Sequence, residues 1–356
     1  MPHQIKNVFL IFLLLNNQLI HSQNFNGGIK ASVELEKSYG VEFSDANMVL
    51  LDSIFMMASQ KIDFVKNPEE QEAIEICKQF SDILKNDFHF KFENVQLLKN
   101  VLDKRIIDCN FYSLFFYTLL HKSQLYEVYT IHAPGHMFIR WYLTDSTYFN
   151  YETTTAEVVS DSALREEFSI TPLAEANHLY MYPLSDTQMT ALHLAELAYE
   201  IVDTNINLSI DISKKALELD PKSFHVYRNL SLAYLLNKQQ DSSDYYFNKA
   251  RELDSLNYTV YFYQGKIMLY FEEYDKAIDW FNKSLAINPE VTSLYMYRCY
   301  TYIKKGFVEE ALSDFEQSNK RIDKGTLHSL FIDYPLLYFL DESIMYLIFE
   351  KENLKN

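Results

Sequence analysis

Three residues in one short stretch, Cys109, His136 and Glu152, supply a thiol, an imidazole and a carboxylate in that order along the chain. Nucleophilic thiol chemistry needs that set: the sulfur attacks, the imidazole takes and returns a proton, and the carboxylate fixes the ring's tautomer and orientation. Cys109 follows Asp108 at the mouth of the apolar run Phe111 to Leu120, so the thiol is expected on the first turn of a helix. There the unpaired backbone N–H groups and the helix dipole favour negative charge and lower a thiol's pKa. The N–H groups of Cys109 and Asn110 are candidate oxyanion donors at the same helix start. Asp108 reads as the helix cap, because its own charge opposes a thiolate. His136 enters a strand directly after Gly135, one of only seven glycines. Glycine at such a place often marks a close approach of another group to the backbone. Glu152 closes the following strand and reaches the ring without a long loop.

The elements that must position these groups are legible around them. Residues 111–120 are apolar nearly all round, the mark of a helix buried on most sides. Tyr126 to Ile131, Met137 to Leu143 and Tyr148 to Tyr151 read as strands, the last two separated by the turn residues Thr144-Asp145-Ser146 and so antiparallel. One buried helix against a small antiparallel sheet is an α+β core. Upstream, Met48, Leu51, Ile54 and Phe55 recur at helical spacing, as do Ile74, Cys77, Phe80, Ile83 and Leu84, so residues 24–100 read as a helical cap on a core of 101–160. A metal site built from Cys109, His132, His136 and Glu152 matches no common zinc spacing, because Pro134-Gly135 stands between the histidines where a helix turn is needed. No motif calls for a cofactor. His121, His193, His225 and His328 carry no motif and read as ordinary surface or helix residues.

Several stretches carry a resemblance: Leu102-Asp103-Lys104-Arg105, Asp108-Cys109-Asn110, Ala133-Pro134-Gly135-His136-Met137-Phe138-Ile139-Arg140 and Asn150-Tyr151-Glu152-Thr153-Thr154. Here the chain resembles the transglutaminase-like superfamily with its papain-like α+β fold. It is nearest the branch in which a SirB1-like domain is followed by tetratricopeptide repeats. The resemblance spans about residues 40–185, with its motifs inside 102–155, and implies a domain over 24–185. It implies Cys109 as nucleophile, His136 as base and Glu152 where the superfamily carries an acid, often Asp. Asp108 and Asn110 depart from the small or aromatic residues that often flank the nucleophile in active members.

From about Thr190 the texture becomes a repeat. Pro221, Ser255, Pro289 and Asp323 are each 34 residues apart, as are Ser243, Ala277 and Ala311, and Phe247, Phe281 and Phe315. That is the tetratricopeptide period, with a small residue where two helices touch and an aromatic one turn later. Four units fit, 190–223, 224–257, 258–291 and 292–325, the first degenerate, and residues 326–356 read as helices capping the open end. Tyr227, Tyr234, Tyr261, Tyr295 and Tyr302 on the first helices of the units are packing residues and candidates for lining a partner-binding face.

Residues 1–23 follow the layout of a signal peptide: Lys6, the apolar run Val8 to Leu15, then a polar exit, too short to remain as a membrane anchor. An exported protein, periplasmic or secreted, is expected. Lys and Arg total 32 against 49 Asp and Glu, so the formal charge is −17, which repels phosphate backbones and argues against a nucleic-acid partner. Of three cysteines, Cys77 and Cys299 sit in helical patterns and read as core. Two functions follow. One is an exported thiol hydrolase or acyltransferase acting on peptide amide bonds, with the repeats binding substrate or partner. The other is a catalytically silent scaffold that grips a protein or peptide in the repeat groove.

Overall fold

The computed structural model describes residues 28–121 and 123–320, which fall into two compact units. One runs to Phe168 and resumes from His178 to Pro221; the other joins Ser169–Asn177 to the chain from Lys222 onward. The expected signal peptide at 1–23 and the capping helices at 326–356 lie outside the described residues.

The first unit is built around the Cys109–Leu120 helix. Its residues Phe111 to Leu120 are buried apart from Leu114, as an all-round apolar sequence requires. It packs on strands β3 (Glu127–Ala133) and β4 (His136–Tyr142) of a four-stranded antiparallel sheet. The sheet is completed by β5 (Tyr148–Glu152) and β6 (Glu157–Val159), in the order β3-β4-β5-β6. Around the helix close Gly28–Ser38, Asp45–Lys61 and Glu70–Asp82, the last continuing as one π-helical turn, Ile83–Asp87. Aromatic rings fill the junction: Phe116 meets Phe80 edge to face at 4.9 Å and Phe115 stacks on Phe55 at 5.8 Å. The Tyr151 hydroxyl shares a buried hydrogen bond with Ser81 at 3.2 Å, so the sheet's inner face and the helical cap are tied by polar as well as apolar contact. The parallel ribbon of β1 (Lys91–Phe92) with β2 (Ile106–Ile107) was not anticipated, since two-residue strands leave no periodicity.

The hairpin between β3 and β4 is two residues long, with Ala133 opposite His136. Pro134 followed by Gly135 at φ +71° suits a turn that demands a positive φ at its third position. The expectation of a close approach at Gly135 is corrected here. Nothing lies within 4 Å of where its Cβ would stand, so the glycine serves the turn.

The helix pairs that follow keep the expected period. Second helices begin at Ile206, Gln240, Tyr274 and Val308, each 34 residues after the last. First helices begin at Asp186, Phe224, Tyr258 and Thr292, so the initial pair alone has a longer first arm. That first pair, Asp186–Glu200 with Ile206–Leu219, belongs to the first unit, and the other three form the second. The hairpins are tetratricopeptide repeats in architecture, and their packing follows the small-residue rule. Ser243, Ala277 and Ala311 are buried, and a Cβ on Gly265 would meet the Phe281 ring at 2.5 Å. The Ser169–Asn177 segment is tied to the ends of second helices: the Thr171 hydroxyl donates to Asp254 (2.9 Å), the Asn177 amide to the Leu253 carbonyl (2.7 Å), and the Asn288 amide to the Ser169 hydroxyl (2.7 Å). Among the described residues no helix is long and apolar enough to cross a membrane.

Candidate active site

Asp108 caps the Cys109–Leu120 helix, its carboxylate accepting the Phe111 N–H at 3.0 Å. Cys109 therefore occupies the first helical position, as its sequence context predicts. Its sulfur faces the start of β4, where the Met137 N–H donates to it, and the S–H lies 4.0 Å from the Asn110 side-chain oxygen. His136 is the residue immediately before Met137. Its Nε2 is hydrogen-bonded to the Glu152 carboxylate across the sheet edge, with the two side chains 14% and 10% exposed. The ring is clamped from one side by Phe168, parallel at 9° and 4.7 Å between centroids. Glu152 is held in turn by the Thr154 N–H (3.2 Å) and hydroxyl (2.9 Å), both donating to its second oxygen. The imidazole and the carboxylate are thus a preorganised pair, and the sulfur is placed one residue along the strand from them. No hydrogen bond joins the sulfur to the imidazole in this resting arrangement.

The electrostatics divide the site. Burial alone would raise the Glu152 carboxyl, but the hydrogen bond and charge of His136, then the two Thr154 donors, outweigh it and hold the group below the usual carboxylate range. Burial pushes the Cys109 thiol far up, and the negative charge of Asp108 adds to it; the Met137 N–H opposes the rise, while Glu152 and Glu196 reinforce it. Asp108 itself is pushed up to about 7 by burial, with the Phe111, Asn110 and Val95 N–H groups pulling it down and Glu196 pulling it up. Because Asp108 already takes the Asn110 N–H, that donor is shared between the cap and any oxyanion, and the Cys109 N–H is the less encumbered of the two.

Sequence reasoning missed three groups around this site. Arg140 is buried behind β4, where its guanidinium donates to Asn150 (2.8 Å), Asp161 (2.7 Å) and the Met181 carbonyl (3.3 Å) and lies over the Tyr148 ring at 4.2 Å. Asn150 also donates to Asp161 (2.7 Å), so the strand carrying Glu152 is pinned by a satisfied buried network. His193 lies on the helix Asp186–Glu200, within the surface-or-helix reading, but it is tied into a buried pair that its lack of motif did not announce. Its Nε2 is bonded at 2.9 Å to Glu36, a wholly buried carboxylate that also accepts the Leu98 and Lys99 N–H groups (2.6 and 3.2 Å). Glu196, one turn beyond His193, acts on both Asp108 and Cys109 through its charge. His225 is a buried residue of the helix Phe224–Leu236, and His121 stacks on Tyr117 at 4.8 Å. Cys77 and Cys299 are buried, with burial pushing both thiols up, Cys299 to about 12.

In the repeats, Tyr234 and Tyr295 are buried, and the Tyr234 ring stacks on Tyr246 at 5.3 Å. Tyr227, Tyr261 and Tyr302 are half-buried against Tyr246, Trp280 and Phe307. All five are packing residues first.

No protein-family model and no curated protein matches the chain. Among solved structures, it is similar to a crystal structure of MamA, 24% identical over 37% of this chain and 72% of that one, TM-score 0.30. Another MamA structure is 21% identical over 45% and 88%, TM-score 0.29. PilF of Pseudomonas aeruginosa is 18% identical over 38% and 63%, TM-score 0.33. These likenesses are partial, and the repeat architecture rests on the helix pairs and their period.

Proposed function

We propose that the first unit is a papain-like, transglutaminase-like domain of the SirB1-like branch, exported by the N-terminal segment, that transfers acyl groups through Cys109. The observation that carries the reading is the clamped His136–Glu152 pair at the same strand start whose next N–H meets the Cys109 sulfur. With Nε2 committed to Glu152, Nδ1 is the ring nitrogen that exchanges a proton with the thiol. The thiolate attacks the carbonyl carbon of a peptide amide, and the oxyanion is received by the Cys109 N–H with the Asn110 N–H. The C–N bond then breaks as the imidazolium gives its proton to the leaving amine. Water or a second amine, deprotonated by His136, attacks the thioester and releases the sulfur. Resting enzymes commonly show loose nucleophile–base geometry that tightens around substrate, which accords with the unbonded sulfur. The repeats serve as the binding surface for a protein or peptide partner, by the groove mode such hairpins favour.

The second reading, a silent scaffold, draws on one specific observation: burial, Asp108, Glu152 and Glu196 all hold the thiol protonated. Incubation with p-nitrophenyl acetate followed by intact-mass measurement separates the two. The enzyme reading expects a transient acetyl adduct on Cys109 that is absent from Cys109→Ala and slowed in His136→Ala. No adduct on Cys109, or equal labelling of the variants, leaves the scaffold. Export is tested by sequencing the N-terminus of protein recovered outside the cytoplasm, with cleavage expected near Gln23.

A further inference from the structure

A cavity of about 340 Å³ opens in the first unit on the flank of the Cys109–Leu120 helix. It abuts the candidate nucleophile, since Asn110 and Met137, the residues that meet the Cys109 sulfur, are both part of its wall. The charged groups on that wall are already engaged within the fold. Asp186 accepts the Tyr117 hydroxyl at 2.9 Å, the His193 ring is bonded to Glu36 at 2.9 Å, and Glu196 is engaged as well. Glu34 stands out in water at the mouth, paired with Lys37 at 3.0 Å. Two hydroxyls are taken too: Thr190 donates to the Asp186 carbonyl (2.8 Å) and Thr130 to the Met189 sulfur (3.1 Å). A charged head entering here would give up its water for groups that are already bonded, which is costly. What the cavity offers a ligand is hydrocarbon and thioether, from Leu35, Phe111, Leu114, Met137, Met189 and Leu192. Burial of apolar surface is then the driving force for occupancy. The volume lies at the lower end of the range for small-ligand pockets, which suits a single side chain.

We propose that this cavity is a specificity pocket that receives a large aliphatic side chain of the substrate, of the leucine, methionine or norleucine kind, next to the carbonyl attacked by Cys109. It rests on the reading of Cys109 as nucleophile and extends it to substrate choice. Met137 joins the pocket to the chemistry: its N–H meets the sulfur, it forms part of the wall, and it directly follows His136 on β4. One side of the wall is rigid. His193 belongs to it as a positioning residue, fixed by its bond to Glu36 and by its edge-to-face contact with Phe111 at 5.9 Å. The other side is adaptable, because the unbranched thioethers of Met137 and Met189 adjust to the shape of what enters. Such a wall selects for size and apolarity more than for branching.

The test separates the pocket from the chemistry. Calorimetric titration of Cys109→Ala protein with the Nα-acetyl methylamides of norleucine, alanine and lysine needs no reactive thiol. The norleucine compound is expected to bind about tenfold more tightly than either of the others. Ala31, a half-buried wall residue on the helix Gly28–Ser38, offers the means to narrow the cavity, since leucine is a good helix former there. In Cys109→Ala/Ala31→Leu the preference over alanine is expected to fall to about twofold. Equal affinities for norleucine and alanine, a preference for lysine, binding of none, or an unchanged preference in folded Ala31→Leu protein overturns the proposal. If Ala31→Leu does not fold, the three-probe comparison in Cys109→Ala decides alone. Acetyl transfer to Cys109 in the wild-type chain is the separate arm. A missing adduct with the norleucine preference intact removes the catalytic reading and keeps an apolar binding pocket; an adduct without the preference does the reverse.

Discussion

At the scale of single residues, the site is governed by where negative charge is held. Asp108 is a buried carboxyl pushed up to about 7, so the folded state holds a proton that the unfolded chain loses near pH 4. The penalty is absent below the unfolded pKa, grows as the pH rises to about 7 and is constant beyond, amounting to roughly 4 kcal/mol. Asn caps helices as well as Asp. Asp108→Asn is therefore expected to flatten the fall in stability between pH 4 and 7 in urea titrations, and to speed alkylation of Cys109 at neutral pH because a charge beside the thiol is gone. Unchanged pH dependence would mean that Asp108 is ionised in the fold at no cost. Glu152 behaves oppositely: its carboxyl is held low, so its contribution is complete above the ordinary carboxylate pKa and is lost as the pH falls through the folded value. Glu152→Gln keeps an acceptor for Thr154 but removes the charge on His136. On the proposed acyl-transfer reading, the rate should drop by at least about a hundredfold while the melting temperature stays within a few degrees; a large loss of stability would make Glu152 structural. The places of Cys109, His136 and Glu152 at the edges of a helix and two strands were legible in the sequence because each element has its own local signature. Arg140, Glu196 and the Glu36–His193 pair were not. Glu36 and His193 are 157 residues apart and meet only when three helices converge, and nothing in the local pattern of any of them records the meeting.

At the scale of elements, the repeat was the plainest message in the chain because its helices use the same small and aromatic positions in phase. The consequence is tight packing that tolerates little. Gly265→Ala gains helix propensity of about 1 kcal/mol but drives a methyl into the Phe281 ring, a strain of about 1–3 kcal/mol. A net loss in thermal unfolding is expected, relieved when Phe281→Leu is added; no loss would show that the ring moves aside freely. In the last hairpin, Arg298 grips Asp314 with two bonds of 2.7 and 2.6 Å, and Asp314 is nearly wholly buried. Arg298→Met strands that carboxylate and should cost about 3–5 kcal/mol, whereas Arg298→Met with Asp314→Leu should recover most of it. The elements that escaped sequence reading are the shortest ones. β6 is three residues, and the ribbon Lys91–Phe92 with Ile106–Ile107 is two per strand, lengths at which alternation cannot be distinguished from chance. The pairing of β4 with β5 was legible because Thr144-Asp145-Ser146 mark its turn, whereas the Pro134-Gly135 turn that pairs β3 with β4 was not read from the sequence.

At the scale of the whole molecule, composition and connectivity set the terms. A formal charge of −17 predicts no detectable binding to a mixed-sequence DNA duplex at physiological salt, checked by fluorescence anisotropy, and a partner affinity that falls with salt if the partner is basic. The first helix pair belongs with the thiol-bearing unit, and a short segment, Ser169–Asn177, belongs with the later repeats. The 34-residue period reveals neither fact, since it records how each hairpin closes on itself and not which unit it joins. One measurement reaches the centre of the account: the rates at which iodoacetamide alkylates Cys77, Cys109 and Cys299 in the folded protein at neutral pH, resolved by peptide mass spectrometry. Burial and acidic neighbours hold the Cys109 thiol protonated at rest, so its advantage comes from partial exposure, where Cys77 and Cys299 are buried, and from His136 taking its proton. The account predicts that Cys109 reacts at least about ten times faster than the other two and that His136→Ala removes the advantage. Equal sluggishness of all three thiols, or a Cys109 rate indifferent to His136, would contradict it.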